Sequence, residues 1–121
     1  MEILSKQELH NLAMNHVGKE LEKQNFEFIA VNSQLKKHPQ FVCVDKASNT
    51  LHFVIVASYK YPNDPNEFDV IWMESFKEHA KKQKAKVIFA GVGIANALDY
   101  NKPVTKNNDY VINYTGIKEI L

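Results

Sequence analysis

The stretch that most restricts the fold runs from Pro39 to Lys60. Phe41-Val42-Cys43-Val44-Asp45 reads as a strand, Lys46 to Thr50 as a turn, and Leu51 to Tyr59 as a longer strand. Successive residues of a strand point to opposite faces. In the middle of the longer strand both faces are apolar: Phe53, Ile55 and Ala57 on one, Val54 and Val56 on the other. Such a strand lies centrally in a sheet covered on both sides by helices.

The flanking sequence supplies those helices. Ser5-Lys6-Gln7-Glu8 has the spacing of a capping box, with Ser5 at the N-cap and Glu8 three residues on. Leu9, Leu12, Ala13, His16, Val17 and Leu21 follow at helical spacing, which predicts a helix over about Lys6 to Gln24. Gly18 inside it costs roughly 1 kcal/mol against alanine, so a close packing contact is expected there. Phe26 to Val31 alternates like a half-buried strand, and Asn32 to His38 is a polar connection. Beyond the hairpin, Tyr61-Pro62-Asn63-Asp64-Pro65 is a rigid loop, and Asn66 is expected to cap a second helix over about Glu67 to Lys84. Glu67 and Asp69 near its start, and Lys81, Lys82 and Lys84 near its end, complement a helix dipole. Trp72, Met73, Phe76, His79 and Ala80 are read as its buried stripe.

Lys86 to Gly91 predicts a fourth strand, with Gly91 and Gly93 allowing a bend or close packing as the chain leaves the sheet. Tyr100 to Asp109 is a polar loop, Tyr110 to Tyr114 an edge strand and Thr115 to Leu121 a short terminal helix. The order α-β-β-β-α-β, plus one strand, makes residues 1–121 a single α/β domain with a mixed sheet. It excludes a doubly wound nucleotide fold, which alternates strand and helix throughout. Gly91-Val92-Gly93 also lacks the third glycine of a dinucleotide turn and comes too late in the chain.

Composition narrows the partners. Net charge is +1, so no global field draws the chain to a polyanion. All 15 cationic residues are lysine, which removes the bidentate fork that reads guanine edges and clamps phosphates. Cys43 is the only cysteine and sits in an apolar strand. It is expected to be a buried, inert thiol, with neither an internal disulfide nor a cysteine zinc site. Met1-Glu2-Ile3-Leu4 opens without a basic region or a long apolar run, and Phe53 to Ala57 is too short to span a bilayer. A cytoplasmic location with no membrane contact is the expectation.

The element order resembles the core of the restriction-endonuclease-like group, the PD-(D/E)xK nucleases and their relatives, over roughly Asn11 to Ala90. Lys23 to Asn32 resembles the small resolvase-like branch, in which a helix ends at Gly or Asn and an apolar strand leads to Asn. Pro39-Gln40 stands where the group has Pro-Asp, and Phe53-Val54-Ile55-Val56-Ala57-Ser58 resembles its Phe-Val-Glu-Val-Lys strand. The resemblance implies a restriction-endonuclease-like αβββαβ core, a central mixed sheet flanked by helices. Its chemistry needs an Asp and a Glu to hold Mg²⁺ and a lysine two residues beyond the Glu to position water. Here those positions are Gln40, Ile55 and Ala57, so the motif is degenerate and no cofactor is expected. The chain is then a non-catalytic nuclease-like domain that acts by association with itself, as a homodimer, or with a partner protein. Val87 to Ala97 and Tyr110 to Leu121 are candidate interface segments.

Two alternatives carry residues of their own. In a shifted register Asp45 is the first acid, Ser58-Tyr59-Lys60 replaces the acid-x-lysine, and Glu20 or Glu22 of the first helix supplies the second carboxylate. That gives a weak Mg²⁺-dependent nuclease with catalytic Asp45, Lys60 and Glu20, and with Asp45 and Gln40 as metal ligands. The competing reading makes Asp45 a turn residue, Lys60 a strand-end cation and the glutamates solvated. The other alternative is a non-specific nucleic-acid binder using Lys36, Lys37 and Lys60, against a plain solvated loop. Tyr59, Tyr61, Trp72 and Tyr100 are stacking candidates for a single strand, with Trp72 expected in the core. No histidine pair has metal-ligand spacing.

Overall fold

The computed structural model describes residues 2–121; Met1, part of the opening stretch read for a leader, lies outside them. Its elements are α1 (Lys6–Lys23), β1 (Phe26–Val31), β2 (Phe41–Asp45), β3 (Thr50–Lys60), α2 (Val70–Lys82), β4 (Lys86–Asn96), β5 (Tyr110–Asn113) and β6 (Lys118–Ile120). The chain is an α/β fold with one open mixed sheet of six strands, ordered β1-β2-β3-β4-β5, with β6 also paired to β4. β1, β2 and β3 form an antiparallel meander. β3 and β4 run parallel, from His52↔Lys86 to Lys60↔Ile94. Parallel neighbours need a crossover, and α2 is that crossover.

Two apolar layers sandwich the central strands. Leu9, Ala13, Val17 and Leu21 of α1 pack on Val54 and Val56 of β3 and on Ile88, Val92 and Ile94 of β4. Met73, Phe76 and Ala80 of α2 pack on Phe53, Ile55, Val87 and Phe89 from the other face. The expectation that β3 is central and covered on both sides holds. Ser5 and Glu8 form the expected capping box. Gly18 lies under the Phe41 ring: a Cβ there would meet Cζ at 3.5 Å.

Four expectations are corrected. α2 is capped by Asp69, whose side chain accepts the Trp72 N–H, and starts at Val70, not at Glu67. The preceding residues are instead held by Asp64, which accepts the Asn66 N–H through Oδ1 and the Glu67 N–H through its carbonyl. Trp72 and His79 are exposed and do not belong to the buried stripe. β4 runs straight on to Asn96, because Val92 and Ile94 enter the α1 layer while the loop after β3 lies close against Gly91 and Gly93. The C-terminal segment is a strand and not a helix. β5 covers only Gly93 to Asn96 of β4's outer edge, and β6 pairs with the same edge at Val87 to Phe89.

Candidate functional site

At the hairpin the motif positions are filled by structure. Gln40 immediately precedes β2 and is fully buried. Its main-chain N–H donates to Val54 O at 3.0 Å, and its side-chain Oε1 accepts the Val56 N–H at 2.8 Å. The side chain thus extends the β2–β3 ladder by one rung. Its Nε2 donates to Lys37 O at 3.3 Å and to His38 Nδ1 at 3.0 Å. The amide oxygen read as a metal ligand is committed instead to a peptide N–H in the core. Ile55 is buried against α2, and Ala57 packs against the same layer.

The shifted register does not assemble either. Asp45 pairs with Thr50 at one end of β3, while Lys60 is the last residue at the other end. Ten residues of strand separate those ends by about 33 Å. Asp45 Oδ1 accepts the Ala47 N–H at 2.9 Å, so the acid is a turn residue. Glu20 accepts hydrogen bonds from the Tyr114 hydroxyl and, at 3.1 Å, from the Ile117 N–H. It ties the β5–β6 connection to α1 and does not join Asp45 or Lys60. Burial and that carboxylate together push the Tyr114 hydroxyl well above its ordinary pKa.

The lysines read as nucleic-acid contacts all lie away from Asp45 along the direction of β3. The loop carrying Lys36 and Lys37 leads into the start of β2, which pairs with the middle of β3 at Val54, and Lys60 ends β3 six residues further on. Gln7 of α1 fastens this loop, donating to Ser33 O at 2.7 Å and accepting the Leu35 N–H at 3.1 Å. Trp72 stands against His38 at 4.8 Å between ring centroids. His10 is buried nearby; its Nε2 has no hydrogen-bond partner among the described residues, and burial, with the neighbouring His38, holds its pKa below the usual histidine value. Tyr61 and Tyr100 face each other at 5.4 Å at the carboxyl ends of β3 and β4. Lys102, missed in the sequence, lines a cavity there with Lys60. No local pattern could have found it, since it lies on a loop more than 40 residues from Lys60.

A family model described as a domain of unknown function, DUF8840, matches residues 7–120. The chain belongs to the DUF8840 family. The match takes in both helices and every strand, so the DUF8840 domain and the folded unit described above coincide. No curated protein and no solved structure is significantly similar to the chain. Among the described residues of this DUF8840 domain, no three His, Cys, Asp or Glu side chains are grouped to hold a metal ion. No helix among them is long and apolar enough to cross a membrane. Burial pushes the Cys43 thiol up to about 11, so it carries almost no thiolate at neutral pH.

Proposed function

We propose that this domain is a restriction-endonuclease-like scaffold that works by association, with a second copy of itself or with a partner protein, and not by cutting phosphodiesters. The observation that carries this reading is the hairpin, where Gln40 bonds to Val56 and Ile55 and Ala57 pack under α2. Hydrolysis on such a hairpin needs a carboxylate pair and a lysine aimed into an open cleft; this one offers an amide and two apolar side chains in a packed layer. Kinship with the nuclease group is supported by the αβββαβ succession and by a helix on each face of the mixed sheet.

Association is supported by the first turn of α2, where Ile71 is 84% and Val70 64% exposed beside Trp72. Two assays test the reading together. Supercoiled plasmid with Mg²⁺ or Mn²⁺ should stay intact with wild type and with Asp45→Ala; cleavage that Asp45→Ala abolishes overturns the proposal. Sedimentation velocity should show a concentration-dependent assembly that Ile71→Lys disperses. A chain that stays monomeric throughout removes self-association and leaves a partner protein.

A second reading, non-specific contact with nucleic acid, rests on Lys36, Lys37 and Lys60, carried by the loop before β2 and by the end of β3. Asp64, Glu67, Asp69 and Asp99 are exposed in the loops that follow β3 and β4 and limit the net charge there.

A further inference from the structure

Two adjoining cavities, of about 540 and 280 Å³, open at the carboxyl ends of β3 and β4. Both are lined by Tyr61, Ile94 and Tyr100, so the tyrosine pair stands between them. The two rings are 50% and 49% exposed. The larger chamber is also lined by Asn63, Asp64 and Asn113 and is bounded by Gly93. The smaller presents Lys60 and Lys102. None of these residues belongs to the Gln40, Ile55 and Ala57 positions of the hairpin.

We propose that the double chamber binds a free nucleoside monophosphate. The base lies in the larger chamber against the tyrosine rings, and the phosphate reaches toward Lys60 and Lys102. Three features select this class of ligand. Exposed tyrosine rings give a flat heteroaromatic group a stacking surface that does not depend on its sequence context. Carboxamides carry both donors and acceptors, which suits the mixed edge of a base. The charges are also segregated: Asp64 repels an anion from the larger chamber, and the two lysines attract it to the smaller.

The volume and position agree. The larger cavity falls within the roughly 300–1,000 Å³ of small-molecule sites. Ligands of open α/β sheets sit outside the carboxyl ends of the strands. Gly93 lets Asn113 and Pro65 close in on this wall, because a Cβ there would lie 3.2 Å from Asn113 Cβ and 3.6 Å from Pro65 Cγ.

The test is calorimetric titration of the full chain with AMP, GMP, CMP and UMP, beside adenosine, inorganic phosphate and a single-stranded oligonucleotide. At least one monophosphate should bind, and the matching nucleoside should bind more weakly. Tyr100→Ala, at an exposed ring, should weaken the monophosphate about tenfold or more. Lys102→Ala should bring it down to nucleoside affinity and leave the nucleoside unchanged. Circular dichroism checks that both variants are folded. The proposal is overturned if no monophosphate binds at millimolar concentration, or if Tyr100→Ala binds like wild type. Binding of the oligonucleotide alone also overturns it and gives the tyrosines to a polynucleotide instead.

Discussion

Gln40 shows how one side chain settles what a site can do. A carboxylate at this position would have to leave the Val56 N–H or bring a charge into the core, and either is costly. The amide makes the bond as a neutral acceptor and uses its other end on Lys37 O and His38. Gln40→Leu keeps the bulk but leaves the Val56 N–H unpaired, and should lower the stability by about 1–3 kcal/mol, read as a shift of the urea midpoint. His10 makes the complementary case. Its folded pKa is depressed, chiefly by burial, so the folded state holds it neutral while the unfolded chain takes up a proton below its ordinary value of 6.5. The stability it contributes is therefore present above that value and is lost as pH falls through the folded pKa. One proton limits the slope to about 1.4 kcal/mol per pH unit. Urea midpoints measured from neutral pH downward should fall more steeply for wild type than for His10→Leu; equal slopes would clear His10 of the effect.

β4 is the element that most exceeds its sequence reading. Gly91 and Gly93 read as a bend or as close packing; the strand continues through them, and they alternate with Val92 and Ile94 at its period. The glycines lie where another segment presses on the sheet. A Cβ at Gly91 would fall 1.6 Å from Pro65 O, inside the backbone of the loop after β3. Gly91→Ala must therefore move that loop, and should cost at least the roughly 1–3 kcal/mol of core overpacking. Gly18→Ala meets only the Phe41 ring at ordinary contact distance and should be neutral or add up to about 1 kcal/mol through helix propensity. Thermal melts of the two variants should move in opposite directions or leave Gly18→Ala unmoved. The same contrast explains which elements were legible. α1 and β3 carry their own signals, a capping box and a two-faced apolar run. The start of α2 was displaced because Asn66 and Asp69 are both cap-type residues, and only the fold shows that Asp64 has already turned the chain at Asn66. β6 could not be read at all, since its partner, the uncovered edge at Val87 to Phe89, lies some thirty residues upstream.

At the scale of the molecule, the sheet order decides which charges can act together. The pairing of Asp45 with Thr50 sends that acid to the opposite end from Lys60, so the shifted nuclease register fails on topology and not on residue type. Sequence spacing could not reveal this, because a strand of 11 residues is longer than any active site. The antiparallel β2–β3 step places the loop of Lys36 and Lys37 beyond Val54, away from the Asp45 end and toward the half of β3 that Lys60 closes. If Lys36, Lys37 and Lys60 alone contact nucleic acid, they neutralise at most three phosphates. The logarithm of affinity should then fall with the logarithm of salt at a slope of about −2.7 on duplex, or about −2.1 on single strands. Lys36→Gln with Lys37→Gln should reduce that slope to about a third of its value and weaken all sequences alike, since phosphate contacts carry no sequence information. The measurement is fluorescence anisotropy over a salt series, with Lys46→Gln at the opposite end as control. A slope that the double variant leaves unchanged, or that Lys46→Gln reduces equally, would place the contact elsewhere. The net charge of +1 sets the background, with too little long-range attraction to produce a steep slope without these local lysines.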